Sequence, residues 1–167
     1  MRKGVIFGVI LLFIGLFCFR YIKINQAYPN PLCIDRHIGE AVPCEGIVIT
    51  VKDFHRDYLE EPEDQHTVLV DIAIQGKAGD SFELPRLSIQ DGWNAVLPSY
   101  ESILDQFGSV RVSFDVDETK EYTLEYIFHK NLYYEKDWET WGKEDLYLEI
   151  TDTYPIRNIV LLDENDL

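Results

Sequence analysis

The sequence predicts an all-β domain carried behind an N-terminal transmembrane helix: an antiparallel β-sandwich of about seven strands with one or two short helices. Three observations predict it. Apolar residues fall on every second position through most of residues 39–163, the period of a strand with one buried face. Gly- and Asp-rich turn signals such as Gly76/Gly79-Asp80 and Asp91-Gly92 separate those stretches. An uncharged apolar run fills residues 4–19 and is flanked by Arg2, Lys3, Arg20 and Lys23.

Residues 1–3 form a basic head and residues 4–22 a signal-anchor segment. The hydrocarbon core of a bilayer takes roughly 20 helical residues to cross. The run reaches that length when Arg20 extends its charged end to the headgroups and Tyr21 lies at the interface. Cleavage is the second reading, with Ala27 at −1, but Asn25 at −3 fits it poorly. Lipid attachment at Cys18 is the third, and the bulky Phe17 before it fits that poorly. The two-residue basic head resembles a signal n-region and favours a cytoplasmic N-terminus with an exported C-terminal domain.

Residues 23–38, with Asn25, Pro29, Asn30 and Pro31, read as a spacer, residues 39–163 as the sandwich and residues 164–167 as an acidic tail. The strand faces are Ile47/Ile49/Val51, then Val68/Val70/Ile72/Ile74. Phe82/Leu84 and Leu87/Ile89 follow, broken by Pro85. Val110/Val112/Phe114/Val116 and Tyr122/Leu124/Tyr126/Phe128 come next, then Leu146/Leu148/Ile150 and the apolar run 156–162. Ile103, Leu104 and Phe107 have helical spacing and predict a short helix over 100–107. A second is expected within 135–143, starting near Asp137.

All 30 acidic residues follow the apolar run. Arg2, Lys3 and Arg20 precede residue 22, so the remainder sets 12 basic groups against 30 acidic ones, a net of −18. Such a surface repels phosphate backbones and argues against a nucleic-acid partner. Cys33 and Cys44 lie on the exported side and are candidates for a disulfide, since an oxidising compartment permits one. Two unpaired thiols are the alternative.

The phrases Tyr28-Pro29-Asn30-Pro31, Gly46-Ile47-Val48-Ile49-Thr50-Val51, Lys136-Asp137-Trp138 and Tyr154-Pro155-Ile156 carry a resemblance. With them, the chain resembles uncharacterised Gram-positive extracytoplasmic proteins that combine a membrane anchor or lipoprotein signal with one immunoglobulin-like (telokin-like) β-sandwich. The resemblance implies a fold and an address, and no reaction.

Tyr133, Tyr134, Trp138 and Trp141 crowd one stretch among carboxylates and form the candidate binding surface, suited to a sugar or a protein partner. The competing reading puts Trp138 and Trp141 on one face of a short helix ended by Gly142, plugging the end of the sandwich. Residues 53–66 hold six carboxylates, His55 and His66. Without the regular spacing of a calcium loop they read as a solvated connection, and no metal or cofactor is expected. Catalytic motifs are missing: there is no Gly-x-Ser-x-Gly elbow, phosphate loop or His-Glu-x-x-His helix. The expectation is a non-enzymatic, membrane-anchored extracytoplasmic protein serving binding, protection or envelope scaffolding. Its partners would be the membrane, through the helix, and a protein, peptide or glycan of the envelope. The alternative is a cell-wall-directed hydrolase using paired carboxylates.

Overall fold

A computed structural model of the chain describes residues 2–27, 31–57, 64–91, 94–141, 145–152 and 155–162. It divides into two compact units, residues 1–32 and 33–167. The first is built on helix α1 (Arg2–Ala27). Its described side chains run from Leu12 to Gln26, and large apolar groups on all sides are exposed, with Phe17 73% accessible. Among the described residues no helix is long and apolar enough to cross a membrane.

The second unit is a β-sandwich. Among the described residues, eleven strands make three sheets. One has five strands in the order β1 (Leu32–Arg36), β11 (Ile156–Leu162), β10 (Leu146–Thr151), β6 (Leu87–Asp91), β7 (Asn94–Val96). The second has four: β2 (Ala41–Cys44), β3 (Ile47–Asp57), β4 (Gln65–Gly76), β9 (Glu118–His129). A small ribbon pairs β5 (Ser81–Glu83) with β8 (Arg111–Ser113). The two larger sheets share one core. Ile49, Val70, Ile72, Ile74, Leu124 and Phe128 contribute from one side, and Leu87, Ile89, Leu148, Ile150, Val160 and Leu162 from the other, all 1% exposed or less. Fully buried Tyr126 crosses between them, its hydroxyl donating to the Leu87 carbonyl at 3.3 Å.

The strand count exceeds the sequence expectation because several strands are too short to display a period. The expected spacer is in part a strand, β1, which lies beside β11 in the five-stranded sheet. Tyr28, Pro29 and Asn30 of that spacer lie outside the described residues, as does the tail. Val116, expected on the core face, is 59% exposed, since β8 ends at Ser113. Residues 53–57, expected in a loop, are the second half of β3. A bulge explains the misreading. Ile47, Ile49 and Val51 are buried, but the next buried residue is Phe54, so the alternation changes phase at Lys52 and the strand seems to end.

Helix α2 (Tyr100–Phe107) starts where Ser99 Oγ accepts from the Ser102 amide at 3.3 Å and stops at Gly108, whose φ of +68° is left-handed. Helix α3 (Glu135–Thr140) falls within its expected range. The β2–β3 hairpin turns on Glu45 and Gly46, with φ of +47° and +92°. These are the two left-handed residues that a two-residue turn of this hand requires. Arg86 steadies the unfavourable Glu45 backbone by a two-pronged ion pair to its carboxylate, and its Nη2 also donates to the Thr151 carbonyl at 2.8 Å.

Candidate functional site

The bulge in β3 does more than bend the strand. Val51 stands opposite Ile72, and Asp53 stands opposite Asp71, so Lys52 has no place in the ladder. An unbroken register would set Lys52 against Asp71 and turn Asp53 to the core face. The inserted residue instead brings two carboxylates side by side. His55 joins them on the same face, two residues along the strand. One ligand atom from each of Asp53, His55 and Asp71 lies within 4.8 Å of the others. His55 Nε2 is 3.5 Å from Asp53 Oδ2. Across the next pairing, Thr123 Oγ1 donates to Asp71 Oδ1 at 2.5 Å and orients it.

Asp71 and Thr123 also line a groove of about 530 Å³ together with Lys52, Tyr122, and Gln106 and Phe107 of α2. The Phe107 ring meets the Tyr122 ring edge-on at 4.5 Å between centroids, an arrangement aromatic pairs favour. Burial, with Glu118 adding to it, raises the Tyr122 phenol above its ordinary value, so it stays protonated and able to donate. The groove therefore offers an apolar wall beside groups of both charge signs and several hydrogen-bonding atoms. Sequence reasoning missed Asp71 and Thr123. The available signal was Asp71 itself, the one charged side chain between Val68 and Ile74.

The candidate aromatic surface is mostly interior, as the plug reading of Trp138 and Trp141 has it. Trp138 is 7% exposed and Trp141 1%. Both indoles stack on the His66 ring, at 4.3 and 4.7 Å, and Trp141 also packs on Phe128 at 4.9 Å. They close the end of the sandwich where β4 begins and β9 stops, because burial of two large rings outweighs any surface role there. Gly142 lies outside the described residues. Tyr133 is half-buried and packs against Trp138 at 5.5 Å. Of the four, Tyr134 alone is exposed, at 80%.

At this plug, Asp91 Oδ2, Tyr133 OH and Trp141 Nε1 are buried and, among the described residues, make no hydrogen bond of ordinary geometry. Burial first, and the Asp91 carboxylate second, push the Tyr133 phenol well above its ordinary value, with Trp141 and Asn94 pulling the other way. These groups thus share one polar spot in the interior.

The candidate Cys33–Cys44 bridge is not formed in the structure. Both thiols are free, Cys33 exposed on β1 and Cys44 buried on β2. The two strands belong to different sheets, and Cys44 Sγ donates to the Thr151 carbonyl at 3.6 Å. Burial, with Asp152 adding to it, pushes the Cys44 thiol up to about 11. The native state therefore holds this proton more tightly than the unfolded chain. The stability it contributes is complete below pH 9 and is lost as the pH rises toward 11. In a Cys18→Ser variant at pH 8, one thiol should react quickly with a chromogenic disulfide reagent and the second only in denaturant. Two fast thiols would refute the burial of Cys44.

No protein-family model matches the chain, and no curated protein matches it. Solved structures do. The yjhA protein of Bacillus subtilis is 15% identical, with 77% of this chain and 99% of that one covered and a TM-score of 0.48. An uncharacterised β-sandwich protein of Clostridium difficile is 13% identical, with coverage of 80% and 98% and a TM-score of 0.48. A functionally unknown protein of Listeria monocytogenes is 11% identical, with coverage of 73% and 79% and a TM-score of 0.47.

Proposed function

We propose that the chain is a tethered binding module: its N-terminal apolar run anchors it in the cell membrane, and an extracytoplasmic, immunoglobulin-like (telokin-like) sandwich takes a polar envelope ligand, a glycan or a peptide. The apolar run 4–19 with its basic flanks supports the anchor. The observation that carries the binding role is the groove between α2 and strands β4 and β9. Its Phe107–Tyr122 wall suits the apolar face of a sugar ring or a side chain. Lys52, Asp71, Gln106 and Thr123 supply donors and acceptors at its polar edge. The strongly acidic remainder keeps the domain soluble beside an anionic membrane surface.

The test uses protoplasts of a Gram-positive host displaying the full chain, with fluorescently labelled soluble peptidoglycan fragments as probe. Binding above that of cells lacking the chain is expected. It should weaken about tenfold, equivalent to about 1.4 kcal/mol, in Lys52→Ala and Gln106→Ala, and vanish after protease is added outside. A domain fully protected from protease overturns the topology. Binding unchanged in both variants overturns the groove.

A further inference from the structure

We infer that Asp53, His55 and Asp71 form a divalent transition-metal site, with Zn²⁺ the best-suited ion. The donor set is one imidazole nitrogen and two carboxylate oxygens, and three such protein ligands leave positions open for water or a ligand oxygen. Zn²⁺ binds these atom types at about 2.0–2.2 Å, so its ligands stand about 3.3 Å from one another. The three atoms already lie within 4.8 Å, and all three side chains project from one face of a paired strand ladder.

The bulge is the reason to assign the site to a cation. A regular β3 would pair Lys52 with Asp71, a favourable cross-strand contact. The observed register replaces it with two carboxylates directly opposite each other, a repulsive pairing that a cation bound between them would relieve. His55 is the imidazole beside the pair, its side chain 63% exposed and its Nε2 3.5 Å from Asp53 Oδ2. Thr123 fixes the Asp71 carboxylate through one oxygen, as an outer partner commonly does for a ligating group, and leaves the other oxygen for the ion. The chain's net charge of −15 raises the local concentration of cations around it.

The site goes beyond the groove, though they share Asp71. An ion there would present its open positions to a ligand oxygen at the groove's edge. Metal binding by the protein alone does not depend on that reading.

The experiment is calorimetric titration of Zn²⁺ into the full chain, solubilised in detergent and stripped with chelator. One ion per chain is expected, with affinity reduced at least tenfold in His55→Ala and in Asp71→Asn, and unchanged in Glu101→Gln, a carboxylate on α2. Zn²⁺ should also raise the thermal midpoint of the wild type and leave that of His55→Ala where it is. Circular dichroism checks that His55→Ala, an exposed position, stays folded. Absence of a saturable event, or binding undiminished in His55→Ala, overturns the assignment. Failure of peptidoglycan fragments to bind while Zn²⁺ binds would count against the groove and leave the metal site standing.

Discussion

Replacing Trp141 with alanine should destabilise the sandwich by about 3–5 kcal/mol, the range for removing a large buried aromatic. The indole is 1% exposed and touches the rings of His66, Phe128 and Trp138. It stands directly after α3 and packs on His66 near the start of β4 and Phe128 near the end of β9, so its loss opens a cavity at the end of the four-stranded sheet. The α3 segment cannot collapse into that cavity, because Trp138 already fills its place against His66. Urea unfolding followed by far-ultraviolet circular dichroism measures the effect. Tyr134→Ala is the control: at 80% exposure it should shift stability by less than about 0.5 kcal/mol. A Trp141→Ala protein as stable as the wild type would restore this aromatic group to the surface.

The second large effect is expected from the smallest change. Gly76 ends β4, and a Cβ built on it would lie 2.6 Å from Cγ of the Phe114 ring. Real atoms do not approach so closely. The ring is itself 2% exposed and is held by the core, with Lys120 Nζ 5.2 Å from its centroid. Gly76→Ala therefore forces Phe114 out of its place, at a cost of about 1–3 kcal/mol by overpacking. The sign is informative because the same substitution in an ordinary strand would stabilise slightly. Phe114→Leu, which narrows the side chain, should make the double variant more stable than the sum of the single losses predicts. Strict additivity would show that the two residues do not meet.

Much of the fold was legible in the residues. The core faces of β4, β9 and β10 are the ones that period-two alternation marks, because each is a regular strand with one side against a partner sheet. The boundaries of α2 were legible too, since Ile103, Leu104 and Phe107 keep helical spacing and Gly108 provides the left-handed stop. The candidate site was not. It depends on which residue of β3 faces which residue of β4. A single inserted residue at Lys52 changes that answer while leaving composition and hydropathy untouched. The aromatic stretch was legible as a cluster, but its chemistry was ambiguous: two indoles three residues apart look the same whether they grip a ligand or fill a gap.

Local sequence alone thus determined three things: an apolar N-terminal helix-forming run, a strand-rich domain behind it and the acidic surface of that domain. Each follows from periodicity or charge, which are properties of neighbours along the chain. Tertiary structure decided that Cys33 and Cys44 stand apart and that the tryptophans face inward. It also decided that Asp53, His55, Asp71 and Thr123 meet. Those outcomes depend on strand register and sheet packing between residues far apart in sequence, where one residue of slip moves a side chain from one face to the other.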